Sequence, residues 1–120
     1  MIPFNWYSFS ELTAHQVYDL LALRASVFVE HQGSAYLDPD GKDYDAIHLL
    51  GVEEGDLAAY LRLLPPSDEK PEVTFGRVAT SVLSRGKGFG KQMMQELLSY
   101  SAKHYPGVMI KCSAQRYLSK

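Results

Sequence analysis

Val73-Thr74-Phe75-Gly76-Arg77-Val78-Ala79-Thr80, followed four residues later by Arg85-Gly86-Lys87-Gly88-Phe89-Gly90-Lys91, is the stretch whose reading decides the fold. The first run is rich in β-branched residues and nearly uncharged, as a buried strand should be. The second sets three glycines at alternate positions among three cations. From Phe89 onward, Phe89, Met93 and Leu97 recur at i, i+4 and i+8, with Met94 and Leu98 widening the same face, which predicts an amphipathic helix. Tyr105-Pro106-Gly107 stops it. Residues 108–114 read as the next strand. Strand, crossover helix and strand of this length form a right-handed parallel βαβ unit.

Glycines at a helix start let backbone N–H groups approach a ligand closely, at a terminus that already favours anions. Arg85, Lys87 and Lys91 add full charges, so the expected ligand is a phosphate or pyrophosphate. A P-loop requires G-x-x-x-x-G-K-[ST]. Here Gly86 precedes Gly90 by one residue too few, and Gln92 stands where the magnesium-binding hydroxyl belongs. A dinucleotide fingerprint requires G-x-G-x-x-G, but Lys91 occupies the position of its third glycine, and the following strand lacks the acidic ribose ligand. Both nucleotide motifs fail on spacing.

The pattern [Q/R]-x-x-G-x-G fits, as Arg85-Gly86-Lys87-Gly88-Phe89-Gly90. Here the sequence resembles the GNAT superfamily of acyl-CoA-dependent N-acyltransferases, whose loop of this form binds the coenzyme A pyrophosphate. Leu23-Arg24, Val27-Phe28-Val29, Gln32, Tyr36-Leu37-Asp38-x-Asp40-Gly41-x-Asp43, His48, Gly76-Arg77-Val78 and Ala114-Gln115 are similar to its ElaA-type branch. The resemblance implies a mixed α/β (α+β) sheet and acetyl-CoA as cosubstrate. It places coenzyme A on the backbone of Val78, Ala79 and Thr80, on the loop from Arg85 to Lys91, and at Gln115. It also implies an acceptor side that includes Arg24, Tyr36 and Asp38.

The chain has 120 residues, 46% of them hydrophobic, which suits one small domain over residues 1–120. A net charge of −2 gives no reason to expect nucleic acid or an anionic membrane as partner. A single cysteine, Cys112, fits a reducing cytoplasm and is expected to be a small buried residue rather than a nucleophile. No basic leader precedes an apolar run, and no apolar stretch approaches the roughly 20 residues a membrane span needs.

Residues 2–9 alternate as a first strand with one buried face. Thr13 and Gln16 form a capping-box pattern that opens a helix, with Val17, Leu20, Leu21, Val27 and Phe28 on one stripe. Arg24 shares that stripe. A guanidinium there is costly unless paired, so it is either a structural partner of an aspartate in the next loop or an anchor in the substrate site. Residues 33–45 are acidic, but an EF-hand needs a glutamate at its twelfth position, and counting from Asp38 lands on Leu49. A solvated loop is expected, with no metal, and its carboxylates could attract a cationic amine. Residues 46–52 and 57–64 read as strands joined by a hairpin turn. The predicted order is β-α-β-β-β-α-β.

Acyl transfer to an amine needs a proton acceptor, a donor to the oxyanion and a proton for the leaving thiolate. By resemblance, the oxyanion donor is backbone N–H in the Val78–Thr80 segment, with Gly76 permitting a bulge that makes room for the pantetheine arm. The candidate bases are Glu30, His31 and His48, and a core role for His48 stands beside a catalytic one. Where the family continues after Ala-Gln with a tyrosine-bearing helix and two strands, this sequence ends at Arg116-Tyr117-Leu118-Ser119-Lys120. The last strand is therefore expected to be an open edge prone to self-association, such as a homodimer. Three functions are open: an acetyl-CoA-dependent N-acetyltransferase acting directly on a small or peptidyl primary amine, a non-catalytic acyl-CoA-binding module, and an enzyme like the acyl-homoserine lactone synthases.

Overall fold

A computed structural model describes residues 2–29 and 40–112. Five strands lie side by side in chain order: β1 (Phe4–Ser8), β2 (Ile47–Glu53), β3 (Asp56–Leu64), β4 (Val73–Thr80) and β5 (Ile110–Cys112). β1 through β4 pair antiparallel, whereas β5 runs parallel to β4. Helix α1 (Ala14–Arg24) links β1 to the acidic loop, and α2 (Phe89–His104) makes the crossover from β4 to β5. This is the predicted mixed sheet in the predicted order.

The capping box forms as expected. Thr13 Oγ1 accepts from the Gln16 N–H at 3.1 Å, and Gln16 Oε1 accepts from the Thr13 N–H at 2.9 Å. A second box, Ser8 with Glu11, closes a short 3-10 turn over Phe9–Glu11. That turn ends β1 one residue before the predicted limit. The Glu54-Gly55 turn between β2 and β3 has positive φ at both residues, 52° and 87°, the geometry whose twist matches a two-residue hairpin.

Period-2 alternation sends successive side chains of a strand to opposite faces, and both faces of this sheet are covered. On one face Leu50, Tyr60 and Ala79 pack with Leu20, Leu23 and Val27 of α1 and its extension. On the other, Leu49 and Leu61 pack under Phe89 and Met93, and Leu63 and Val73 under Leu97. Each buried Leu, Val, Phe or Met among them contributes about 1.5–3 kcal/mol by leaving water.

Three local expectations are corrected. The α2 stripe is Phe89, Met93, Leu97 and Ser101, and Leu98, one position round the helix, is 59% exposed. Cys112, at the end of β5, is exposed among the described residues. The bulge in β4 centres on Arg77, not Gly76. Between the pairs Arg62↔Gly76 and Tyr60↔Ala79, β4 carries one residue more than β3, and Arg77 takes up the surplus at φ 52°. A non-glycine residue in that left-handed region costs about 1–2 kcal/mol. No helix among the described residues is long and apolar enough to cross a membrane.

Candidate acyl-transfer site

The glycine loop is built as an open anion cradle. Gly86 and Gly88 both have φ 83°, and no heavy atom lies within 4 Å of a Cβ placed on either of them or on Gly90. Gly88 is the N-cap of α2, and no side chain caps the helix. The orphan N–H groups of the first turn and the positive end of the helix dipole therefore face open space. Arg85 and Lys91 are exposed beside them and form no ion pair among the described residues.

Two members of the motif do other work. Phe89 is only 4% exposed and anchors α2 on the sheet, so only its backbone is available to a ligand. Lys87 donates to Glu53 Oε2 at 2.8 Å, while Ser84 donates to Glu53 Oε1 at 2.8 Å. These hydrogen bonds hold the Glu53 carboxyl below its ordinary pKa and tie the loop to the end of β2. Gln92 brackets the backbone of Ile2, donating to its carbonyl at 2.7 Å and accepting from its N–H at 3.5 Å.

Beside the loop, β4 pairs with β5 only through Val73, Thr74 and Phe75. From Gly76 to Thr80 that edge of β4 has no strand partner among the described residues. Ala79 is buried, Val78 and Thr80 are half-buried, and the Arg77 bulge sits at the start of this open edge. An extended ligand arm has backbone to pair with there.

Beneath the bulge, on the α1 face, lies an ion-pair network that sequence reasoning did not assemble. Arg62 binds Asp40 with two hydrogen bonds, Nη1 to Oδ1 at 2.9 Å and Nη2 to Oδ2 at 2.7 Å, and also donates to Asp43 Oδ1 at 2.9 Å. Arg24 donates to Asp43 Oδ1 at 2.9 Å, and Arg77 to Asp40 Oδ2 at 3.3 Å. Arg24 is fully buried and Arg62 nearly so. Burial alone would raise the pKa of both carboxyls. The guanidinium hydrogen bonds and charges outweigh it and hold Asp40 and Asp43 below the ordinary carboxylate range. The two aspartates are thus engaged by arginines rather than solvated, and Arg24 makes a buried ion pair with Asp43. Arg62 carried no motif signal. Its position opposite His48, two residues from Tyr60 on the α1 face, was the available clue.

His48 is completely buried. Its Nε2 lies 3.0 Å from the Asp43 carbonyl oxygen, which only accepts, so Nε2 carries the proton. Nδ1 then accepts from the Tyr60 hydroxyl at 2.6 Å. Desolvation lowers the His48 pKa and raises that of Tyr60. With both nitrogens engaged, this is a satisfied core histidine. A mostly apolar cavity of about 240 Å³ adjoins it, lined by Phe9, Val17, Leu20, Leu21 and Tyr44 among others. His48 beside the cavity and Glu53, which holds the glycine loop through Lys87, are five residues and about 17 Å apart along β2. Glu30, His31, Tyr36, Asp38 and Gln115 lie outside the described residues.

Comparison with known proteins agrees with this geometry. The model of the Acetyltransferase (GNAT) family matches residues 14–116. A UPF0039 protein of Synechocystis is 38% identical over 120 residues, 99% of this chain and 78% of that protein. The crystal structure of an acyl-CoA N-acyltransferase from Pseudomonas aeruginosa superposes with a TM-score of 0.89 at 36% identity, covering 98% of this chain and 82% of that one. Escherichia coli ElaA superposes with a TM-score of 0.87 at 40% identity, covering 98% and 81%. With an open glycine cradle at the start of α2, a parted edge on β4 and relatives of this similarity over nearly its whole length, the chain belongs to the GNAT acetyltransferase family.

Proposed function

We propose that the protein transfers an acetyl group from acetyl-CoA directly to the nitrogen of a small or peptidyl primary amine. One observation carries the reading: an uncapped α2 N-terminus, with left-handed Gly86 and Gly88 facing open space, adjoins the stretch of β4 that β5 leaves unpaired. The backbone N–H groups of the loop, with Arg85 and Lys91, hold the pyrophosphate. The edge from Gly76 to Thr80 holds the pantetheine arm, and an N–H of the bulge, at or beside Val78, meets the thioester oxygen. The neutral amine attacks the carbonyl carbon. A C–N bond forms and the C–S bond breaks, the ammonium proton passes to a base, and the thiolate takes up a proton as it leaves. A positioned oxyanion donor lowers such a barrier by a few kcal/mol. Fully hydrogen-bonded His48 is not assigned as the base.

Gly90 provides the test. Unlike Gly88, it needs no left-handed backbone, and a side chain there meets open space. Gly90→Glu places a carboxylate in the first turn of α2, where it suits the helix dipole but repels a bound anion. Coenzyme A affinity by calorimetry is expected to fall at least tenfold with the melting temperature maintained. Unchanged affinity would put the anion site elsewhere. Release of free thiol from acetyl-CoA by the wild-type chain, across a panel of amines, separates the enzyme from a binding module, which would take up coenzyme A without turnover.

A further inference from the structure

We propose that Arg77 is a positioning residue whose ion pair holds the β4 bulge in the shape that aims its backbone N–H at the thioester. The inference rests on the acyl-transfer reading above and extends it to residues outside the expected coenzyme A contacts. Arg77 is one of two non-glycine residues with positive φ among those described, and the other, Glu54, sits in an exposed turn. Arg77 instead lies inside a strand, 6% exposed, where glycine would be the natural occupant. Gly76, its immediate neighbour, does not take the left-handed conformation. The chain therefore places the unfavourable backbone on a long cationic residue although a glycine stands next to it.

Unfavourable backbone of this kind persists where surrounding contacts over-determine it. Here Asp40 Oδ2 accepts from Arg77 Nη2 at 3.3 Å, and Asp40 is itself fixed by two hydrogen bonds from Arg62. Arg62 comes from β3, in register with Gly76, so the strand across from the bulge supplies the anchor. Asp40 thus clamps both strands at the point where they slip register. The clamp acts through the backbone. It sets the direction of the N–H groups at Arg77 and Val78, beside the edge that the acyl chain would occupy.

Two substitutions at one position separate this role from a general stabilising one. Arg77→Ala and Arg77→Gly both remove the guanidinium and its ion pair, and only glycine adopts φ near 50° without a steric cost. The alanine variant is expected to lose kcat tenfold or more, with KM for acetyl-CoA within about twofold of wild type. The glycine variant should keep kcat within about threefold. Equal kcat in the two variants, whether both low or both normal, would overturn the proposal. Should Arg77→Ala not fold, Asp40→Asn carries the test: a tenfold loss of kcat alone, and less than a threefold change on the Arg77→Gly background. Equal losses on both backgrounds would sink the idea. A wild-type chain that releases no thiol with any amine would instead refute the acyl-transfer reading, leaving the amide chemical shifts of residues 77 and 78 in the two variants to report on the bulge.

Discussion

Arg24 shows how a single residue changes meaning between sequence and fold. A guanidinium on the apolar stripe of α1 looks out of place until Asp43 arrives from the loop after it, 19 residues on, with Arg62 sharing the same carboxylate oxygen. The Tyr60 ring adds a cationic contact, its centroid 5.8 Å from the guanidinium carbon. Removing one partner of a buried pair strands the other charge away from water, which is why such deletions cost more than the pair's own net contribution. Arg24→Ala is therefore expected to lower stability by about 3–5 kcal/mol in urea denaturation. A change below 1 kcal/mol, accompanied by lost turnover, would move Arg24 to the acceptor side of the site.

At the scale of elements, α2 both seals one face of the sheet and presents the anion cradle at its first turn. Its attachment runs through Phe89, Met93, Leu97 and Ser101, a four-residue spacing that makes each the neighbour of the next along a stripe winding slowly round the helix. Leu98 falls outside that stripe because one residue is a turn of about 100° round the helix, which carries it away from Leu97 towards solvent. Leu97→Ala is expected to cost about 2–5 kcal/mol, and Leu98→Ala, the same chemical change one residue on, within about 0.5 kcal/mol. Thermal or urea unfolding of the two variants reads the contrast directly. Equal effects would mean that α2 is rotated relative to the sheet.

Across the whole molecule, His48, Asp40 and Asp43 make stability fall on the acid side of neutrality. The His48 pKa lies below its ordinary 6.5 in the folded state, chiefly through desolvation. Between the folded value and 6.5 the unfolded chain binds more protons, so stability is complete above about 6.5 and falls as pH drops below it. Asp40 and Asp43, held below 3.8, add a second loss as pH falls under that value. Urea midpoints are thus expected to decline from pH 7 to pH 5, and His48→Gln to flatten that first segment. A wild-type midpoint constant over this range would show that His48 titrates normally. The element order, the Thr13 cap, the glycine cradle and the two apolar faces were legible in the sequence, since each rests on local spacing: period 2, period 3.6, a side chain three residues from its backbone partner, glycines at alternate positions. What only the tertiary structure decided was which groups meet across the sheet. Lys87 reaches Glu53, the Asp40–Arg62–Arg77 clamp closes over a bulge on Arg77 rather than Gly76, and His48 gives both nitrogens to Tyr60 and Asp43. These pairings join residues 5 to 37 positions apart, and no periodicity along the chain encodes them. They exist because burying a polar group forces it to find a partner, and strand register determines which partner is within reach.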